Sequence, residues 1–323
     1  MLTFRATLRP HSATLSPWQA DTLFGHLCWL ILHHEGEAQL NAFLDEYRQG
    51  TPPLLLSDGF PGDWLPRPLV PPSPEAGPKR SKAEHIHKMQ EDKEGKDIRW
   101  IGLDEFNAFR RGEKVKPERH MLSEHRTVLK NQINRLTGGT TAMDDEAEGG
   151  NLYDLDELRF VDGFGEKRVR FDISVYVKAR DKAAADRASE WFTRLARSGY
   201  GAKKSAGYGH FSLQDWQPFP DFDDPQLEPN GFISLSNWVP ARADPTHGFY
   251  NTLVKYGKLG EELANSDNPF KFPLIMLTAG SAFYADAPRE WYGRLVSSVA
   301  PADERVVHYG YAFAVPAQLV KEV

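Results

Sequence analysis

GYGAKKSAGYG, Gly199–Gly209, packs four glycines, two tyrosines and two lysines into eleven residues and contains no acid. The segment before it reads as a helix: Asp181 is an N-cap, and Ala188, Trp191, Phe192, Leu195 and Ala196 form one apolar stripe. The segment after it, GHFSLQDW, reads as a strand. Nucleotide phosphate loops run the other way, from strand into helix N-terminus, where the dipole favours an anion. Their motifs fail here as well. No register supplies G-x-x-x-x-G-K-[ST], and the residue three after Gly201 is Lys204 rather than glycine. Gly199 suits a helix C-cap, with Arg194 and Arg197 favourably placed in the last turn. Because the helix end carries the wrong sign for an anion, a bound phosphate backbone must draw on Lys203, Lys204 and the backbone N–H groups that Gly201, Gly207 and Gly209 leave approachable.

Upstream, VRFDISVYV alternates Val169, Phe171, Ile173, Val175 and Val177 with polar residues and is the clearest strand in the chain. LTFRATLR at the start alternates too, with Leu2, Phe4, Ala6 and Leu8 on one face. Ser16 and Pro17 mark a helix start, Leu23, Phe24, Leu27, Leu30 and Ile31 recur at helical spacing, and Gly36 ends the run. LLLSDGF, from Leu54, is a second strand. Strand, helix, strand, interruption, strand, helix, glycine loop, strand is the split β-α-β order of ferredoxin-like and RRM-like domains. The expected fold class is therefore α+β, with two ferredoxin-like/RRM-like domains carrying insertions. The first spans residues 1–216, with insertions over about 66–160, and the second spans residues 229–323.

The insertion begins at Pro66. To Gly95 it holds Pro68, Pro71, Pro72, Pro74 and Pro78, with few apolar residues, as a mobile segment does. SEHRTVLKNQINRL, within the segment from Trp100 to Leu136, has helical character, and TGGTTAMDDEAEGG reads as a flexible tip. PFPDFDDPQLEPN is the boundary between domains. Beyond it GFISLSNWV, FPLIMLTAGSAFY and VVHYGYAFAV read as strands, and FYNTLVKYGKLGEELA as a helix or helical hairpin.

A net charge of −6 argues against a nucleic-acid partner until its distribution is considered. Trp191–Gln214 has no acid and four Lys or Arg; Arg110–Arg135 has eight Lys or Arg against three acids; Asp144–Glu148 and Asp221–Glu228 are acidic. Segregation of this kind makes a localised anion-binding face. The richest apolar run, LFGHLCWLIL, is too short to span a membrane, and MLTFRATLRP has no signal-peptide core. The single cysteine, Cys28, is placed as a buried thiol in a reducing compartment, so the expected location is the cytoplasm, with no membrane partner.

Helix, glycine-rich loop and strand in this order resemble the RAMP superfamily of CRISPR-associated RNA-binding proteins. DTLFGHL (21–27), LSNWVP (235–240), KYGKLGE (255–261), FPLIMLTAGS (272–281) and HYGYAF (308–313) narrow the likeness. They resemble the type III-A CRISPR subunits of the Csm group that cap the crRNA 5′ handle, the fourth Csm subunit. The resemblance implies a non-catalytic RNA-binding subunit that holds the repeat-derived tag, meets the large polymerase-like subunit and starts the row of backbone RAMP subunits. Target RNA is then contacted only indirectly. It implies RNA contacts at Gly199, Tyr200, Gly201, Lys203, Lys204, Ser205, Gly207, Tyr208 and Gly209, and a thumb-like extension around Asn131, Asn134 and Arg135. Thr22, Gly25 and His26, in the DTLFGHL stretch, join the expected RNA-binding set. Tyr200 and Tyr208 are candidates to stack on bases, the alternative for each being packing against its own sheet.

Related processing nucleases use a histidine, so the rival reading is a metal-independent endoribonuclease acting through His26. A surface hydrogen-bonding role for His26 competes with it. His33 and His34 fall on different helix faces, His85 and His87 lie in the proline-rich insertion, and His120 and His125 sit among basic residues on a solvated face. Asp144, Asp145, Glu146 and Glu148 resemble a magnesium cluster only in composition. No metal, cofactor or catalytic residue is expected.

Overall fold

Alternation in the opening strand β1 (Leu2–Pro10) buries Phe4, Ala6 and Leu8 against two helices that follow it, α1 (Ala20–Glu35) and α2 (Glu37–Arg48). The computed structural model describes residues 1–69, 98–133, 139, 152–162 and 169–320. After α2 come β2 (Leu54–Pro61), β3 (Trp64–Pro66), β4 (Trp100–Gly102), the short α3 (Leu103–Arg110), β5 (Ser123–Asn131), β6 (Leu152–Asp162) and β7 (Val169–Arg170). Then β8 (Ile173–Ala179), α4 (Lys182–Ser198) and β9 (Phe211–Pro218) complete the first half.

The main sheet has the order β2-β8-β1-β9, and every neighbouring pair is antiparallel. With α1 and α2 between β1 and β2, and α4 between β8 and β9, this is the split β-α-β topology expected of the first half. β1 pairs with β8 from Leu2↔Ala179 to Leu8↔Ile173, and with β9 across a register shift between Thr7 and Leu8. Six of the seven β8 residues are buried, not only its alternate ones. The helices cover one face, and Phe219, Phe222 and Phe313 cover the other around Tyr176. A strand buried on both sides no longer needs alternation to hold its place.

Local signals met competition at several places. α1 does not take its cap from Ser16. Its N-cap is Gln19, and the buried carboxylate of Asp58, on β2, accepts the Ala20 N–H at 2.8 Å. Gly36 ends the helix at φ 91°, as expected, and Asp181 caps α4 by accepting the Ala184 N–H. α2 was not anticipated. Its Phe43, Leu44 and Tyr47 are buried against α1, with Phe43 stacked on Phe24. In SEHRTVLKNQINRL the residues Ser123–Asn131 are strand rather than helix: β5 pairs with β6 from Ser123↔Phe160 to Asn131↔Leu152, forming a long two-stranded arm. Weak helical spacing yields when a second segment offers nine cross-strand pairs.

The second half holds β10 (Gly231–Ser234), β11 (Gly248–Phe249), β12 (Thr252–Lys255), β13 (Leu274–Leu277), β14 (Ala282–Tyr284), β15 (Tyr292–Val296), β16 (His308–Ala312) and β17 (Ala314–Ala317). One four-stranded antiparallel sheet runs β11-β14-β10-β17, and β12–β13 and β15–β16 form ribbons. The helix expected over FYNTLVKYGKLGEELA is absent. Its first part pairs as β11 and β12, and only Glu261–Asn265 turns, as a 3₁₀ helix, because Gly257 and Gly260 interrupt any longer helical run. FPLIMLTAGSAFY divides into β13 and β14, and VVHYGYAFAV into β16 and β17. Among the described residues the second half contains no α-helix.

The two halves share one core. Tyr309 and Tyr311 of β16 pack into the cluster formed by α1, α2 and the first sheet. The Tyr309 hydroxyl accepts the Leu56 N–H at 3.0 Å, and the Tyr311 hydroxyl donates to the Tyr47 carbonyl at 2.7 Å. Burial pushes the Asp58 carboxyl up to about 7. A folded-state value above the ordinary 3.8 means that ionising Asp58 works against the fold. Its contribution is full below pH ~4 and is lost as pH rises through about 7. The stability of the protein relative to an Asp58→Asn variant is therefore expected to fall between pH 4 and 7, with a slope approaching ~1.4 kcal/mol per pH unit. Urea titrations of both proteins across that range measure it, and a flat difference would show that Asp58 ionises freely.

Candidate nucleic-acid interface

The glycine loop closes on itself. Gly199 ends α4 at φ 80° and donates to the Leu195 carbonyl at 2.9 Å. Tyr200 N–H donates to the Gly209 carbonyl, and Gly209 N–H to the Ala13 carbonyl, at 2.8 and 2.9 Å. A Cβ on Gly209 would lie 1.7 Å from the Tyr200 carbonyl oxygen, and one on Gly201 3.0 Å from the Ser16 Cβ. Gly199, Gly201 and Gly209 thus serve the loop's own closure, which accounts for most of the glycine density without an outside partner. Gly207 differs: at φ 88° it faces open space, within an exposed tip that includes Ala202, Lys203, Ser205 and Ala206.

Both loop tyrosines are withdrawn from base stacking. Tyr200 is fully buried, lies flat on Trp18 with ring centres 4.1 Å apart, accepts the Gln19 N–H at 2.9 Å and donates to the Pro17 carbonyl. Tyr208 is buried and donates to Glu157 Oε1 at 3.0 Å. Of the two roles open to them, packing prevails because each hydroxyl finds an acceptor inside the fold.

Of the α1 residues Thr22, Gly25 and His26, the first and last meet the loop. Thr22 hydrogen-bonds the Tyr200 hydroxyl, and His26 Nε2 accepts the Gly201 N–H at 2.8 Å. Burial, and then the charge of Lys204, depress His26 to about 4, so its ring is neutral at pH 7. Gly25 faces open space beside them. His26 thus acts as a hydrogen-bond acceptor that positions the loop backbone.

Lys203 and Lys204 have unlike surroundings. Lys203, at φ 54°, is exposed and holds its ammonium 4.1 Å from the ring centre of Tyr153 on β6. Lys204 pairs with Glu261 at 2.7 Å, which keeps the Glu261 carboxyl below its usual range. The β5–β6 arm reaches the loop through its base, where Thr14 and Leu158 exchange backbone hydrogen bonds at 3.1 and 2.8 Å. Side chains of directly paired residues share a face. Lys130↔Tyr153 and Arg126↔Glu157 therefore present two cations and an aromatic ring on the face that Lys203 and Tyr208 contact. Asn131 is exposed, at the last described pair of the arm, while Asn134 and Arg135 lie outside the described residues. Tyr153 was missed in the sequence. Nothing within residues 152–160 names the partner strand or the loop that brings Lys203 to it.

A cavity of about 330 Å³ opens behind Lys204, lined by His26, Trp29, His33, His34, Arg194 and Glu261. Among the described residues no three His, Cys, Asp or Glu side chains could hold a metal ion, and the acidic cluster at 144–148 lies outside them. Burial pushes the Cys28 thiol up to about 12, as befits an unreactive core sulfhydryl.

No family model matches this chain. A Streptococcus thermophilus protein described as CRISPR system Cms protein Csm4 is 27% identical over 275 residues, covering 82% of this chain and 80% of its own. Solved structures share the fold end to end. A chain in the crystal structure of a Csm1–Csm4 cassette with pppApA superposes with a TM-score of 0.61 at 15% identity, covering 100% of both chains. One in a Csm3–Csm4 subcomplex of the type III-A CRISPR-Cas interference complex reaches 0.61 at 13% identity, covering 99% of this chain and 100% of that one. The solved structures give the fold, that of chains in type III-A CRISPR complexes. In sequence the chain resembles Csm4, the group that the five stretches pointed to.

Proposed function

We propose that this chain is the subunit of a type III-A CRISPR effector complex that binds the crRNA 5′ handle and joins the large polymerase-like subunit to the backbone RAMP subunits. The observation that carries the reading is the Csm4 likeness over most of the sequence, in a fold whose relatives are solved in a Csm1–Csm4 cassette and a Csm3–Csm4 subcomplex. The local geometry supports it. An exposed glycine-loop tip with Lys203, and an arm face with Arg126, Lys130 and Tyr153, can neutralise a phosphate backbone and offer a stacking ring, which single-stranded RNA requires. In this reading the RNA contacts are made by Lys203, Lys204, Ser205, Gly207 and Tyr153, with Thr22, Gly25, His26, Gly199, Tyr200, Gly201, Tyr208 and Gly209 shaping the surface, and with Asn131, Asn134 and Arg135 extending the arm over the strand. In this reading the domains divide at about 217–228 into an N-terminal ferredoxin-like unit and a C-terminal unit, whose described residues form strands and a 3₁₀ turn. On the same reading the protein works in the cytoplasm, where its single cysteine, Cys28, stays a free thiol. No described helix is long and apolar enough to cross a membrane.

The chain is read as non-catalytic. A general acid at His26 would need a proton that its depressed value denies it near neutral pH, and the one ring nitrogen that faces the loop already accepts the Gly201 N–H. Two measurements test the function. Affinity-tagged protein purified from its host is expected to bring down the large subunit, the backbone subunit and RNAs sharing one repeat-derived 5′ end. Purified protein incubated with repeat RNA in EDTA is expected to leave it intact, whereas site-specific cleavage lost in His26→Ala would establish the endoribonuclease.

A further inference from the structure

Lys204 does not wait free for a ligand. Its ammonium meets the carboxylate of Glu261, which comes from the second half of the chain on the 3₁₀ turn Glu261–Asn265. Three non-glycine residues among those described have left-handed backbone, and two of them, Lys203 at φ 54° and Glu261 at φ 46°, stand at this ion pair. Strain of that kind persists only where surrounding contacts impose it. Here Leu259 is buried just ahead of the turn and donates its N–H to the Pro269 carbonyl at 2.7 Å, while Glu262 pairs with His33 at 3.1 Å. The turn is anchored, and it delivers the Glu261 side chain to the mouth of the cavity of about 330 Å³. The cavity wall also carries Arg194, His33, His34 and the indole of Trp29, a set of donors and aromatic rings that suits a nucleotide better than a carboxylate. Arg194 pairs loosely with Glu190 at 3.9 Å and also acts on Glu35.

We propose that Lys204 and the cavity behind it form a phosphate subsite for single-stranded RNA, and that the Glu261 carboxylate occupies this subsite as an internal stand-in that the RNA displaces. The proposal rests on the RNA-binding reading of the glycine loop. A carboxylate and a phosphate oxygen offer an ammonium the same kind of acceptor, but an exposed carboxylate pair is weak, so the exchange favours a polyanion. Glu261 then acts against adventitious anions: a lone anion must compete with a tethered carboxylate, whereas an RNA strand contributes several phosphates at once.

The test uses the full-length protein and a fluorescein-labelled RNA bearing the repeat sequence of the host's own CRISPR array. Glu261→Gln and Glu261→Ala are expected to bind it about two- to fivefold more tightly at low salt, the range that an exposed ion pair spans. The gain should vanish when either is combined with Lys204→Ala, and it should shrink at high salt. Inorganic phosphate should compete with the RNA more effectively in both Glu261 variants. Unchanged or weaker RNA binding in the Glu261 variants, or a gain that survives Lys204→Ala, would overturn the stand-in. If Lys203→Ala/Lys204→Ala binds RNA like the parent, the loop reading itself fails, a result separable from the first because Lys203 is outside the ion pair. The Gln variant keeps the side-chain volume, and thermal melting of each variant shows that the fold is intact.

Discussion

Gly209→Ala is expected to destabilise the protein by about 2–5 kcal/mol. Left-handed backbone costs a non-glycine residue ~1–2 kcal/mol, and forced displacement of a packed neighbour typically adds ~1–3 kcal/mol. Gly209 has φ 68°, and its added Cβ would stand 1.7 Å from the Tyr200 carbonyl oxygen, which is backbone and cannot swing aside. Relief would mean separating Tyr200 from Gly209 and so breaking their hydrogen bond, with Tyr200 itself locked by Trp18, Gln19 and Pro17. Urea denaturation compares the two proteins directly. Gly207→Ala is the control. It shares a positive φ but meets nothing within 4 Å, so its loss should stay near the conformational cost alone, ~1–2 kcal/mol. Equal losses at the two positions would mean that the Tyr200–Gly209 closure contributes nothing.

Replacing Lys203 and Lys204 together by alanine is expected to lower affinity for repeat RNA about ten- to a hundredfold at low salt. Each cation that meets a phosphate on a single strand contributes ~0.7 to the slope of log affinity against log salt, so the slope should fall by about 1.4. The two lysines should not contribute equally. Lys203 is exposed, with its ammonium over Tyr153, and is available at once; Lys204 must first leave Glu261. Lys203→Ala alone should therefore carry the larger share, and Tyr153→Leu should weaken binding with little change of slope, since stacking releases no ions. Filter binding across a salt series reads both quantities. An unchanged slope in the double variant would remove the loop from the RNA site.

How far these sites could be read from the chain depended on the range of the interactions that make them. The split β-α-β order of the first half was legible because each element carries its own signal. Alternation in β1, the apolar stripe of α4, the Asp181 cap and the Gly199 stop are all local. The loop's basic character was legible for the same reason. Its division of labour was not. Tyr200 and Tyr208 look alike in sequence, flanked by glycines, and nothing local reveals that Trp18 lies flat on one while Glu157 receives the hydroxyl of the other. Lys203 and Lys204 are neighbours in the chain, yet an arm ring faces one and a carboxylate from the second half neutralises the other.

The helical reading of FYNTLVKYGKLGEELA failed through the same blindness to partners. Thr252–Lys255 satisfies its backbone through Leu274–Leu277, a pairing about twenty residues away that no window of helical spacing contains. α1 likewise starts where Asp58, far along the chain, caps it, and not at the nearby Ser16. By itself, then, the sequence determined the periodicities, the local stops and caps of α4 at Asp181 and Gly199, and the placing of charge, because these depend on residues within a turn or a strand of one another. Only the tertiary structure decided which glycines close the loop, which tyrosines are buried and which lysine is free, because burial and ion pairing are set by segments that meet in space and are distant in the chain.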